Sequence, residues 1–225
     1  MIKCPSPNFN NRTLEIEVDI LVLHYTGMPT ANEALDRMCD PAAEVSAHYM
    51  IDEDGQVYQL VPEDKRAWHA GISSWRGNHN INDRSIGIEL VNPGHEFGYR
   101  AFPDIQIDAL IQLIKKILSR YPIPARNVVG HSDIAPTRKQ DPGEYFNWSQ
   151  LASHNIGVWP TANASDNLNQ ITNLNFAENL EKFGYEITDL TSATLAFQHH
   201  FLPSFSTRQA DSKTNQCLEN LLKSI

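Results

Sequence analysis

The chain has 225 residues, 41% hydrophobic and 20% charged, a balance typical of a globular protein with room for one full-sized domain and a small second one. A net charge of −9, from 18 basic and 27 acidic residues, with no basic clusters, argues against nucleic acid as a partner. No run approaches the roughly 18 apolar residues of a membrane span. The three scattered cysteines, Cys4, Cys39 and Cys217, form neither a disulfide framework nor a CxxC metal pattern.

Met1 to Pro5 carry no apolar stretch of the kind a secretory signal needs. The expectation is a cytoplasmic chain, or an envelope one from which a signal has been removed. Glu17 to His24 begins with polar alternation and turns continuously apolar, the pattern of a central strand. Thr30 to Cys39 reads as a short helix with Thr30 as N-cap. His48–Ile51, the turn Asp52–Gly55 and Gln56–Val61 give a hairpin signal. Ser85–Val91 is another strand, with Ile86, Ile88 and Leu90 on one face and Ser85, Gly87 and Glu89 on the other.

A long helix follows from Pro103 and Asp104, with Ile107, Leu110, Ile111, Ile114, Ile117, Leu118 and Tyr121 at 3–4 spacing until Pro122 and Pro124 stop it. Asn127–Gly130 is a short strand that delivers His131. The fold expected is α/β, a mixed central β-sheet flanked by helices, over residues 1–160. Small polar residues at 161–172 read as a linker. Residues 173–225 hold three helical patterns, Phe176–Phe183, Thr191–Phe201 and Thr207–Leu222, enough for a small three-helix module but marginal as an independent core.

The block from Gly130 to Gly143 sets His131, Lys139 and Asp141 in a loop braced by Pro and Gly. With His24 at the end of its strand, it supplies two neutral nitrogens and one carboxylate oxygen. That is the ligand count of a catalytic zinc that keeps its fourth position open for water. Hydrolysis also needs a base, and Glu89, on the small-residue face of an apolar strand, is the candidate. If the loop is locally extended, Lys139 shares a side with Asp141 and can face a developing oxyanion. Trp68 and His69 are candidates to line a substrate groove, Asn92 and Arg138 weaker ones; the pair His199–His200 reads as surface or packing. HExxH, the helix-borne protease motif, is absent.

Leu23-His24-Tyr25-Thr26, Ala67-Trp68-His69-Ala70-Gly71, Ile86 to Asn92 and the block from His131 to Gly143 occur in the order seen in zinc N-acetylmuramoyl-L-alanine amidases. Over residues 5–160 the chain resembles the amidase-2 family, related to phage-type amidases and peptidoglycan recognition proteins, and is most similar to its AmiD-like bacterial group. The resemblance implies one Zn2+ per chain on His24, His131 and Asp141, Glu89 as base and Lys139 stabilising the transition state. It implies as substrate peptidoglycan or muropeptides, cut at the amide between muramic acid and L-alanine. A non-catalytic recognition protein on this scaffold would be expected to lack a zinc ligand, and none is missing. The tail resembles a peptidoglycan-binding module without its usual Asp-Gly turn, which leaves glycan binding and a structural helical cap as alternatives.

Overall fold

The structure, a computed structural model, describes residues 1–160 and 173–225; the expected linker at 161–172 lies outside the described residues. The strands, in chain order, are β1 (Ile2–Lys3), β2 (Phe9–Asn11), β3 (Ile20–Tyr25), β4 (Tyr49–Ile51), β5 (Val57–Gln59), β6 (Lys65–Ala67), β7 (Ser74–Trp75), β8 (Asn78–His79), β9 (Ser85–Leu90) and β10 (Val128–Gly130). The α-helices are α1 (Ala31–Cys39), α2 (Ile81–Arg84), α3 (Gly94–Phe97), α4 (Asp104–Leu118), α5 (His131–Ile134), α6 (Trp148–Ser153), α7 (Asn173–Phe183), α8 (Leu190–Phe201) and α9 (Ser212–Lys223).

Six strands form the central mixed sheet in the order β1-β5-β4-β9-β3-β10. β4, β9, β3 and β10 run parallel, and β5 returns antiparallel to β4 through the expected hairpin. The continuous apolar run of β3 has a direct cause: both faces of the strand are covered. Leu21 and Leu23 enter one core cluster with Ile86, Ile88 and Leu90 of β9 and Ile107, Leu110, Ile111, Ile114 and Ile117 of α4. Burying each such aliphatic side chain contributes about 1.5–3 kcal/mol. β3 starts at Ile20 rather than at Glu17, which is exposed, and Asp19 just before it donates its N–H to the Arg84 carbonyl and pairs its carboxylate with the Arg84 guanidinium.

Ile20 and Val22 point to the opposite face, where they join Val129, Ile134 and Trp75. That face is covered by the tail. Phe176, Leu180 and Phe183 of α7, Ala193, Ala196, Phe197 and Phe201 of α8, and Cys217, Leu218 and Leu221 of α9 belong to the same cluster. Asp189 and Asp211 cap α8 and α9 by accepting the Ser192 and Thr214 N–H groups. The three tail helices thus share one core with the second face of the sheet. Cys4 and Cys39 lie 3.7 Å apart as free thiols, and no helix among the described residues is long and apolar enough to cross a membrane.

Candidate metal centre and its groove

The site stands at the carboxyl ends of three adjacent parallel strands, the place where open α/β sheets bind ligands. His24 of β3 is in register with Glu89 of β9, and Leu23 with Gly130 of β10. His131 therefore begins α5 beside His24. It opens a one-turn helix immediately after the strand. Gly130 is required there, since a Cβ would meet Pro142 Cδ at 2.7 Å. The loop to Asp141 turns over Ala135–Arg138, where the Arg138 and Lys139 N–H groups both donate to the Ala135 carbonyl, and Lys139 and Asp141 line the same groove beyond it.

Three atoms converge. His24 Nδ1 lies 2.9 Å from His131 Nδ1 and 3.1 Å from Asp141 Oδ2, and His131 Nδ1 lies 3.0 Å from the same oxygen. All three residues are buried. Hydrogen-bond partners fix the histidine tautomers. His131 Nε2 faces the Ala70 carbonyl at 3.1 Å and must donate to it, which leaves Nδ1 a bare lone pair. For His24 the assignment runs through three residues. The Ile81 carbonyl accepts the Ser85 hydroxyl (2.7 Å), so Ser85 Oγ accepts from His69 Nε2 (3.1 Å). His69 Nδ1 then accepts the His24 Nε2 proton at 3.0 Å, and His24 Nδ1 is bare as well.

Electrostatics agree. Burial, then the neighbouring His131, lowers the His24 pKa to about 4, so its ring is neutral at pH 7. Burial pushes the Asp141 carboxyl up, but the adjacent imidazoles, His131 first and then His24, favour its ionised form and hold it well below the usual range, so it is a carboxylate at pH 7. Two bare Nδ1 atoms and a carboxylate oxygen thus aim lone pairs at one point, an arrangement that a bound metal ion relieves. A tetrahedral zinc with bonds of about 2.0–2.1 Å separates its ligand atoms by roughly 3.3 Å, so the donor triangle fits such an ion with an opening of a few tenths of an ångström.

Glu89 borders the same groove, a cavity of about 830 Å³ lined also by Tyr25, His69, His131, Lys139 and Asp141. Its Oε2 is buried with no hydrogen-bond partner among the described residues. Burial, then the Asp141 charge, raises its pKa well above the carboxylate norm, with Lys139 opposing. A buried carboxylate oxygen without a partner is rare, and Glu89 carries one at the edge of a polar groove. Lys139 also lines two adjoining cavities, one running towards Trp68 and Arg66 and the other towards α8.

The four candidate substrate contacts separate. Trp68 lines the adjoining cavity, its indole N–H donating to Asn10 Oδ1 at 3.1 Å. Arg138 lines it too, but its Nη2 is committed to the Ala70 and Ile72 carbonyls, both at 2.8 Å. His69 borders the groove, yet both of its ring nitrogens are occupied by His24 and Ser85, which makes it an outer partner of a ligand. Gly87 makes the space for it, since a Cβ there would stand 2.5 Å from the ring. Asn92 requires correction. It is fully buried, accepts the Gly94 N–H and donates to the Arg100 carbonyl, so it braces the loop after β9 and has no free polar atom for a ligand.

Sequence reasoning missed the Ala70 carbonyl, Ser85 as a relay, and the hydrogen-bonded chain Tyr25–His95–Glu144, which runs from the groove to the cavity beside α8. In that chain Tyr25 Oη lies 2.9 Å from His95 Nδ1, and His95 Nε2 lies 3.1 Å from Glu144 Oε2. A backbone carbonyl leaves no mark in a sequence, and Ser85 registers only as a small neighbour of Glu89. His200, read as surface or packing, is buried against Trp148 and bonded to Asp133.

Residues 14–144 match the family described as N-acetylmuramoyl-L-alanine amidase. The chain is 38% identical to the N-acetylmuramoyl-L-alanine amidase AmiD of Escherichia coli K12, over 92% of this chain and 83% of that protein. It is 38% identical to the 1,6-anhydro-N-acetylmuramyl-L-alanine amidase AmpD of Citrobacter freundii, over 66% of this chain and 87% of the relative. Its fold matches that of E. coli AmiD in complex with the substrate anhydro-N-acetylmuramic acid-L-Ala-D-gamma-Glu-L-Lys, with a TM-score of 0.83, 36% identity and coverage of 95% and 93%. AmpDh3 of Pseudomonas aeruginosa, in complex with anhydromuramic pentapeptide, matches with a TM-score of 0.83, 32% identity and 97% coverage of both chains.

Proposed function

The chain belongs to the N-acetylmuramoyl-L-alanine amidase family, and from that premise we propose how its residues divide the work of the reaction. The reaction is hydrolysis of the amide between the lactyl group of N-acetylmuramic or anhydromuramic acid and the L-alanine of a peptidoglycan stem peptide, in cell-wall turnover or recycling. Water adds to the carbonyl carbon, the C–N bond breaks, and a carboxylic acid and a free alanyl amine result.

His24, His131 and Asp141 would hold one zinc ion, and three donors leave its fourth position open. When bound, the ion supplies Lewis-acid polarisation of the scissile carbonyl and acidifies water. Glu89, adjacent to His24 in the sheet, takes the proton of the attacking water and returns it to the leaving amine. Its raised pKa suits both halves of that transfer, because burial weakens it as an acid while the Asp141 charge that assists burial is neutralised in a loaded site. Lys139 turns a positive charge towards the same groove, where it offsets the oxyanion of the tetrahedral intermediate. Trp68 and Arg138 form the rim, an aromatic surface for a sugar and a cation for stem-peptide carboxylates.

The observation that carries this reading is the convergence of two bare Nδ1 atoms and one carboxylate oxygen within 3.1 Å. The test is metal analysis together with mass spectrometry of products from anhydromuramyl-peptide and from sacculi. The expected result is one zinc per chain, release of peptides with a free N-terminal L-alanine, loss of activity on chelation and recovery with zinc. Full activity in a metal-free preparation would overturn it.

A further inference from the structure

α5 is only one turn long and cannot hold itself in place by its own hydrogen bonds. Its fixed point is Asp133, a buried carboxylate two residues beyond His131. Oδ2 accepts the Gly130 N–H and the His200 Nδ1–H, each at 2.7 Å, and Oδ1 accepts the Tyr185 hydroxyl at 2.6 Å. The first donor belongs to the residue that delivers His131. The other two come from the tail: His200 from α8, and Tyr185 from the segment after α7.

Both tail donors are themselves held by packing. The His200 ring stacks on Trp148 with centroids 3.7 Å apart and planes at 15°. Tyr185 meets Trp75 edge-on at 5.2 Å and Phe197 at 6.0 Å. Asp133 in turn controls both ligands of the Gly130–Gly143 block. His131 is the first residue of its helix, and the Ser132 N–H donates to the Asp141 carbonyl at 2.9 Å. The Trp148 ring beneath His200 also approaches Gly130, lying 3.3 Å from where a Cβ would stand.

We propose that Tyr185 and His200 are positioning residues of the metal centre: the C-terminal helices clamp the Asp133 carboxylate and thereby set the one-turn helix that carries His131 and anchors Asp141. The proposal rests on the zinc-site reading above. It gives the tail a task at the catalytic centre that a separable binding module would not have. Outer partners that orient metal ligands typically alter metal affinity by about 10- to 100-fold, and these two act one step further out by fixing the ligand's helix.

The test removes the donors and keeps the rings. Tyr185→Phe, His200→Phe and the double variant are compared with the parent chain by chelator competition for zinc and by the visible spectrum of the cobalt-loaded forms. Near-ultraviolet circular dichroism of the metal-free proteins checks that each is folded. Each single variant is expected to weaken zinc binding by about threefold to tenfold, and the double variant by about 10- to 100-fold, with an altered cobalt spectrum. His200→Asn, whose amide N–H can stand in for Nδ1–H, should recover most of the affinity lost in His200→Phe. A folded double variant that binds zinc within about twofold of the parent, with an unchanged cobalt spectrum, overturns the proposal. If the double variant does not fold, Tyr185→Phe alone decides by the same two readings. A parent chain that binds no zinc would overturn the site reading, and this proposal with it, whereas zinc binding indifferent to the donors overturns the proposal alone.

Discussion

Glu89 owes its place to a two-residue period. Ile86, Ile88 and Leu90 are drawn into the core under α4, and the opposite face of β9 holds serine, glycine and this one carboxylate. Its Oε2 has no hydrogen-bond partner among the described residues, and the proposed mechanism gives it proton transfer, with zinc assigned to other residues. Glu89→Gln should therefore keep one zinc per chain and lower kcat by about 100- to 10,000-fold; near-parental turnover with zinc still bound would require a different base. His69 invites a sharper discrimination. As a substrate contact it would affect KM alone. As the acceptor of the His24 Nε2 proton it should affect zinc, so His69→Ala is expected to weaken zinc affinity by about 10- to 100-fold, read by chelator competition. Gly87→Ala should mimic that loss, because the added methyl displaces the same ring. A His69→Ala protein with unchanged zinc affinity and a raised KM would restore the substrate-contact reading.

At the scale of elements, α4 and the tail helices do equivalent work on opposite faces of one sheet. Phe197 of α8 is fully buried in the cluster that contains Ile20, Val22 and Val129. Phe197→Ala should cost about 3–5 kcal/mol of unfolding free energy, measured by urea denaturation as a single transition seen by both near- and far-ultraviolet signals. Two separate transitions, with only the smaller one moved, would show that the tail folds as its own unit. The elements that build the two cores were legible, although the last tail helix starts at Ser212 rather than Thr207, and the short strands β1, β2, β6, β7 and β8 and short helices α2, α3, α5 and α6 were not. Apolar residues three and four apart marked α4 and the three tail helices, and the apolar run of β3 announced a strand covered on both sides. Their docking was not legible, because an amphipathic stripe says that a face is buried without saying against what. Metal-ligating residue types at strand ends were legible for the same reason that the strands were. The His24–His69–Ser85 relay was not, since its members are far apart in sequence and only the register of β3 against β9 and the space left by Gly87 bring them together. Asn92 misled because a polar residue following a functional strand looks like a site residue, whereas here it satisfies the loop's own backbone.

The whole molecule keeps a set of histidines neutral beneath the groove, and that sets how it responds to acid. His48 is completely buried one layer below His69, with ring centroids 5.7 Å apart. Its Nδ1 accepts the Gly87 N–H at 3.0 Å, and its Nε2 lies 3.0 Å from the Lys65 carbonyl. Burial, then the Arg12 charge, lowers its pKa to about 3, with the Lys65 carbonyl pulling the other way. Between the ordinary value of 6.5 and about 3 the unfolded chain therefore binds a proton that the folded chain refuses. The stabilisation is fully present above pH 6.5 and is lost as pH falls through that window. For this one group the loss between pH 7 and pH 5 is about 2 kcal/mol, and His24 and His69, also depressed by burial, add to it in the same direction. Urea unfolding of the metal-free protein at pH 7 and pH 5 should show the decline. The variant His48→Gln, less stable at pH 7, should decline by about 2 kcal/mol less than the parent over that interval. Equal declines in parent and variant would mean that His48 is protonated in the folded protein, and that the Gly87 N–H, which borders the His69 pocket, is bonded elsewhere.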